Sequence, residues 1–142
     1  MSSDRGSFRE IEHTADLGIE VTASSLAGLF STAGEALFAL IADPKNLEAR
    51  EAIPVAAGGD GPEELLHAWL RELLAQFNLT GFVAARCEVR KITRERVEGI
   101  VTGEKLDLKR HCFYTEIKGV TYHDFRVWEE NGSWRARVIF DV

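Results

Sequence analysis

The spacing of apolar residues at the start of the chain predicts two short strands. Apolar and polar positions alternate over residues 8–13 and again over 17–23, and the alternation is cleaner in the second segment. Residues 14–16, "TAD", lie between the two segments and have the composition of a turn. The pattern predicts a pair of half-buried strands.

A helix is predicted next, because the apolar spacing changes to three and four residues. Ser24 or Ser25 can cap its start, and the pair Asp43 and Pro44 ends it. Its apolar face has the pattern of a core-facing surface and not of a cofactor-binding loop.

A second helix is predicted after the chain break "GGDGP". Asp60 is the predicted cap, Pro62 suits the first turn, Glu63 completes a capping box with Asp60, and Glu64 favours the positive end of the helix dipole. A broad apolar stripe follows, formed by Leu65, Leu66, Trp69, Leu70, Leu73, Leu74 and Phe77.

The remaining segments alternate as strands do. They are 46–57, in which Pro54 favours an edge position, and then 83–92, 96–103, 117–122, 125–130 and 133–141. Asn131 and Gly132 form the two-residue loop of a type I′ hairpin at the C-terminal end. The order of elements predicts an α+β fold in a single domain over residues 1–142, with two helices packed on a mostly antiparallel or mixed sheet.

Composition agrees with a soluble globular protein located in the cytoplasm. The 142 residues are 45% hydrophobic and 28% charged, no apolar run is long enough to span a bilayer, and the start lacks the pattern of a secretory signal. Cys87 and Cys112 have no paired spacing, so both are interpreted as small buried apolar residues. A disulfide and a reactive thiol are the alternatives.

The charge of the chain argues against stable direct binding of nucleic acid. Its formal net charge is −6, and such a surface repels phosphate backbones. The densest basic stretch, residues 86–96, alternates with glutamates and favours a solvated pair of strands.

Strand parity identifies two candidate carboxylates. Asp16 is in phase with Glu20 on the polar side of its strand, and Asp141 is in phase with Arg137, opposite the apolar face of the final strand. Parity leaves open whether these strand ends are neighbours. Taken alone, Asp16 fits a turn-forming residue and Asp141 fits a solvated terminal residue.

Four segments together resemble the archease family over nearly the whole chain. They are "FREIEHTADLGIEVTASSLAGLFSTAGEALFALI", "LLHAWLRELLAQF", "IKGVTYHDFRV" and the ending "VIFDV". The resemblance implies an accessory activator, not an enzyme, that acts on an RtcB-type RNA ligase in tRNA splicing or RNA repair. Such proteins promote guanylylation of the ligase and support its multiple turnover.

The resemblance also implies a divalent-cation site formed by Asp16, Asp141 and the main-chain oxygen of Val142. Oxygen ligands suit hard cations, so calcium is expected in a structure, and magnesium or manganese is the alternative in the cell. His13 joins the site, orients Asp16 by a hydrogen bond or caps the turn, and Lys118 and His123 either face the ligase or have structural roles.

Two competing functions follow from the same residues. A metal-dependent phosphoester hydrolase would use an acidic cluster to activate water, although no second cluster and no base can be assigned. A general chaperone or protein-binding module would act without the aspartates.

Overall fold

The computed structural model describes residues 6–13 and 16–142, with the backbone alone at positions 12 and 13. Its elements are β1 (Ser7–His13), β2 (Asp16–Ala23), α1 (Leu26–Ile41), β3 (Glu51–Gly58), α2 (Pro62–Thr80), β4 (Phe82–Ile92), β5 (Arg96–Lys105), β6 (Gly119–Val120), β7 (Arg126–Glu130) and β8 (Ser133–Asp141). The predicted turn at Thr14 and Ala15 lies outside the described residues.

The strands form two antiparallel sheets with the helices between them. One sheet has the order β1-β2-β8-β6, with β7 also paired to β8, and the other has the order β3-β5-β4. Helix α1 contacts β2 and β4, and α2 contacts β3 and β6, so each helix touches both sheets. The predicted α+β class is confirmed, and the strands divide between two sheets because both sides of the helix layer need an apolar cover.

The core lies along α1, which is buried around most of its circumference. Ser25 caps the helix by accepting a hydrogen bond from the Gly28 N–H at 2.9 Å, as the capping prediction requires. The indole N–H of buried Trp69 donates to the carbonyl oxygen of Phe30 at 3.0 Å, which joins the two helices. The core therefore combines close helix packing with satisfied polar groups.

The start of α2 differs from the prediction by one residue. Gly61 is the N-cap, with φ of 99°, and no side chain caps the helix. Glu64, not Glu63, accepts a hydrogen bond from the Asp60 N–H at 3.2 Å. Gly61, with its positive φ, lies between Asp60 and the helix, so the glutamate that bonds back to Asp60 is one residue later than predicted. Pro62 occupies the first turn as predicted.

Three further predictions need correction. The strand predicted at 117–122 is reduced to β6, and the strand predicted at 46–57 begins only at Glu51, after a short 3₁₀ turn at Pro44–Asn46. Cys112 is exposed, whereas Cys87 is buried as predicted, and the two cysteines form no disulfide with each other. Asn131 and Gly132 both have positive φ, 54° and 79°, which confirms the type I′ hairpin.

A buried ionic cluster fastens the segment that leaves β5. Glu104 accepts hydrogen bonds from the Glu48 N–H at 2.7 Å and from His111 Nε2 at 3.0 Å, and it pairs with Arg110. His111 Nδ1 accepts from the Asp107 N–H at 2.8 Å. Burial works against ionisation of Glu104, but these donors together outweigh it and lower its pKa from 4.5 to about 2.

Replacing Glu104 with Gln should lower stability at neutral pH and flatten its dependence on acid. Because the folded-state pKa is depressed, the stabilisation by Glu104 is complete above pH 4.5 and is lost as the pH falls towards 2. Urea unfolding midpoints between pH 7 and pH 2.5 measure the effect, with exposed Glu95→Gln as the control. If the unfolding midpoint of the Glu104→Gln variant fell with pH as steeply as that of the original protein, Glu104 would not be a cause of the acid dependence.

Replacing Gly34 with Ala should destabilise the protein, although alanine favours helix formation. An added Cβ would lie 2.8 Å from Leu73 Cδ1 and 2.9 Å from Cys87 Sγ, and both neighbours are buried. Overpacking costs about 1–3 kcal/mol, against a helix-propensity gain of about 1 kcal/mol. Chemical denaturation measures the difference. Gly58→Ala is the control, since its Cβ would lie 3.5 Å from the Glu95 carbonyl oxygen, and an equal effect of both variants would refute the packing argument.

Candidate cation site at the ends of two neighbouring strands

Asp16 and Asp141 lie at adjacent strand ends. Strands β2 and β8 pair directly, and the last pair of the ladder is Leu17 with Phe140. Continued by one residue, the same antiparallel register places Asp16 opposite Asp141. Facing residues of antiparallel strands have Cα atoms about 4.5–5.5 Å apart, so the two side chains are within reach of one ion. The periodicity of the sequence does not predict that these two strand ends are neighbours.

Both carboxylates belong to the outward side of the sheet. Residues 16, 18, 20 and 22 of β2 alternate with the buried Ile19 and Val21, and residues 135, 137, 139 and 141 of β8 share that outward side. Asp16 is half-buried, and Asp141 and Val142 are exposed. The helix layer therefore packs behind the two aspartates and leaves them accessible.

The main chain on the other side of β8 holds Asp141 in place. Gly119 of β6 pairs with Asp141, and the Lys118 N–H donates to the Asp141 carbonyl oxygen at 2.7 Å. Across the hairpin of β1 and β2, His13 pairs with Asp16. The predicted role of the His13 side chain lies outside the described residues.

The donor set suits a hard divalent cation. Two carboxylates and one main-chain oxygen provide oxygen ligands, and positions remain for water or for a group of a partner. Among the described side chains, those of residues 6–11 and 16–142, no three His, Cys, Asp or Glu residues form a cluster that could hold a metal. The main-chain oxygen of Val142 is the expected third ligand, and the ligation stays a prediction.

His67 supports the segment beside this site. Its ring is buried, its Nε2 lies 3.0 Å from the Val120 carbonyl oxygen, and it stacks on Tyr122 with centroids 3.7 Å apart and planes 5° from parallel. Phe125 packs edge-on at 5.1 Å. A carbonyl only accepts, so Nε2 carries the proton, and Nδ1 has no hydrogen-bond partner in the part of the chain that the structure describes. His67 therefore contacts both ends of the segment that connects β6 to β7.

The sequence places His67 among apolar helix positions but does not show what it contacts. The signal was a polar ring within an apolar stripe, which requires a buried acceptor. His123 has a different environment: its side chain is 67% exposed and its Nε2 lies 3.5 Å from Asp124 Oδ2. Lys118, in the same segment, adjoins the strand ends through its main chain.

Acid should loosen the segment held by His67. Burial is the main cause of its lowered pKa, opposed by the hydrogen bond to Val120, and Arg71 lowers it further. Because the pKa of His67 is lower in the folded state than in the unfolded state, its contribution to stability is complete above pH 6.5 and is lost as the pH falls. Amide exchange of residues 118–125 between pH 7 and pH 5 measures it.

His67→Gln is the control for this titration, since it keeps a polar side chain without the ionisation. We expect its exchange protection, after correction for intrinsic exchange rates, to vary little over the same range. Equal pH dependence in both proteins would exclude His67 as the titrating group.

The surrounding architecture has counterparts among known proteins. The family model for the archease protein family (MTH1598/TM1083) matches residues 8–142. "Protein archease" of Methanopyrus kandleri is 38% identical over 138 residues, covering 95% of this chain and 99% of that protein. "Protein archease" of Pyrococcus abyssi is 34% identical over 139 residues, covering 95% and 98%.

Two solved structures share the fold. The solution structure of Methanobacterium thermoautotrophicum protein 1598 has a TM-score of 0.80 and 27% identity, covering 95% of this chain and 98% of that chain. A crystal structure from Thermotoga maritima, described as an archease and possible chaperone, has a TM-score of 0.67 and 16% identity, covering 94% and 96%. With a family model spanning 8–142 and relatives matched over nearly their full length, the chain belongs to the archease family.

Proposed function

We propose that this archease binds a divalent cation through Asp16, Asp141 and the main-chain oxygen of Val142, and activates an RtcB-type RNA ligase. The single observation that carries the proposal is the β2–β8 register, which continues to a pairing of the two aspartates. Family membership supplies the partner class: the resemblance implies promotion of ligase guanylylation and multiple turnover, in tRNA splicing or RNA repair. In this role the protein is an accessory factor of the cytoplasm and not an enzyme.

The electrostatics of the site support cation binding. Two carboxylates facing each other repel, and a cation shared between them removes that repulsion. Calcium, magnesium or manganese would supply a shared positive charge and positions for an oxygen ligand of the partner. The protein contributes geometry: the β2–β8 ladder sets the two carboxylates opposite each other, and the Lys118 N–H holds the carbonyl of Asp141.

A general chaperone or protein-binding module is the second candidate, and a specific surface favours it. The segment between β5 and β6 exposes three large apolar side chains: Leu108 is 73% exposed, Phe113 is 41% exposed and Tyr114 is 55% exposed. Exposed apolar groups close together in sequence are typical of protein contacts. A phosphoester hydrolase is the third candidate, and it would need an acidic cluster with a base to activate water.

The Asp16→Asn and Asp141→Asn variants should lose the activator function with little change in fold. Asn keeps the shape of the side chain and removes its charge, and we expect at least a tenfold fall in the rate of ligase guanylylation, by analogy with the loss of a metal-site group. Transfer of labelled GMP to a cognate ligase, with GTP and manganese, measures it. Glu72→Gln, on the exposed side of α2, is the matched control.

Binding of the ion is measured separately from stimulation. Calcium should raise the melting temperature of the original protein and of Glu72→Gln, and should leave both aspartate variants unchanged. Full stimulation of the ligase by the aspartate variants would remove the cation site from the mechanism. Suppression of aggregation in unrelated clients, unaffected by either aspartate, would favour the chaperone.

A further inference from the structure

A row of arginines crosses the outward face of the five-stranded sheet. The registers align Arg9 with Glu20, Glu20 with Arg137, and Arg137 with Arg126, so four adjacent strands contribute one residue each. Arg135 follows Arg137 on the same side of β8, about 6.8 Å further along the strand. These four arginines, with Trp128 opposite Arg135, are called the arginine face below.

Carboxylates offset only part of this charge. Arg9 and Arg137 share Glu20, with the Arg137 Nη2 atom 3.3 Å from Glu20 Oε2. The Arg135 Nε atom lies 4.0 Å from Glu130 Oε1. Four guanidinium groups thus face three carboxylates, Glu20, Glu130 and the pocket-lining Asp124, in a chain whose net charge is −6. The excess of positive charge is local and opposite in sign to that of the whole protein.

Two guanidinium groups of the arginine face are accessible to a ligand. The side chains of Arg135 and Arg137 are 39% and 42% exposed, while their Nε atoms are buried and have no hydrogen-bond partner among the described residues. A guanidinium group is a pure donor, with five N–H bonds in a planar fork that matches the oxygens of a phosphate. The exposed ends of two neighbouring guanidinium groups therefore favour an anionic ligand rich in acceptor oxygens.

The shape of the face fits a nucleotide better than an acidic side chain. Beside Arg137, a pocket of about 420 Å³ is lined by Glu20, Asp124, Phe125, Arg126, Trp128 and Arg137. The Arg126 guanidinium lies over the Trp128 ring, 4.5 Å from its centroid. Flat aromatic rings and guanidinium planes stack on nucleobases, and a positively charged groove follows the backbone of a single strand. Acidic peptides gain nothing from a stacking surface.

From these contacts, we propose that the arginine face binds single-stranded RNA, with phosphates on Arg135 and Arg137 and a base stacked at Arg126 and Trp128. The site is distinct from the cation site, since Ile139 and Gly18 separate the two along the strands. Arg137 and Asp141 are four residues apart, about 13 Å along β8. Binding is a property of this chain alone and does not depend on the ligase.

Two or three phosphate contacts give weak, salt-dependent affinity, in the range of about 10⁻⁴–10⁻⁶ M for non-specific binding. This agrees with an acidic chain that forms no stable complex with nucleic acid. The interaction contributes where RNA is already held close, as at a partner that binds the strand.

The experiment uses fluorescence anisotropy of a labelled 12-nucleotide RNA mixed with the protein alone at 25–200 mM salt. We expect the double variant Arg135→Ala with Arg137→Ala to bind at least tenfold more weakly at 25 mM salt. Its slope of log K against log salt should be shallower by about 1.4, since each phosphate contact on a single strand contributes about 0.7. Trp128→Ala should weaken binding severalfold without changing this slope, because stacking is not ionic.

The matched control is Arg90→Ala with Arg96→Ala, which removes the same charge from exposed positions on the three-stranded sheet. It should change affinity by less than twofold. Absence of binding at 25 mM salt, or an equal loss in the control, would overturn the proposal. Thermal unfolding identifies any variant that fails to fold, in which case Arg135→Gln with Arg137→Gln replaces it.

The aspartate variants test whether RNA binding at the arginine face is independent of the proposed cation site. The Asp16→Asn and Asp141→Asn variants should bind RNA at least as well as the original protein, whether or not they stimulate a ligase. Arginine variants that keep RNA binding but lose association with a ligase would make this face a protein-docking surface and refute RNA binding.

Discussion

The register of β2 against β8 is the constraint on which the rest of the structure depends. Ile19 and Val21 of β2 and Val138 and Phe140 of β8 are completely or almost completely buried against the helix layer. A slip of one residue would turn all of them outward, because side chains alternate between the two faces of a strand. The burial of these apolar side chains thus fixes the strand register. The register in turn determines the relative positions of Asp16 and Asp141 in the candidate cation site.

The long connection from β5 to β7 is held at both ends, by different chemistry. The Glu104 cluster fastens its beginning, and His67 fastens its end through Val120, Tyr122 and Phe125. The two-residue β6 joins it to a sheet. Between the two anchors, the Tyr114 N–H donates to the Ile41 carbonyl oxygen and Ile117 is completely buried. The exposed apolar side chains therefore project from a backbone that is bonded to the end of α1.

Local patterns in the sequence predict the elements well and their assembly less well. The Ser25 cap and the Asn131 and Gly132 turn depend on neighbouring residues, and both are confirmed. The shift of the α2 start arises from one glycine with positive φ, which no periodicity reveals. The division into two sheets, the ring contacts of His67 and the arginine row are long-range results of packing. Parity places Asp16 and Asp141 on outward faces, but only the strand order makes them neighbours.

The pairing of the second strand with the last one also has a consequence for synthesis. Leu17 and Phe140 are more than a hundred residues apart in sequence, so their contact closes a very long loop and forms late in folding. Until β8 emerges, β2 has only β1 beside it, and its apolar face can associate with other chains. The same strand pair that completes the binding site is therefore the step at which a nascent chain is most exposed to aggregation, and at which help from a chaperone would matter most.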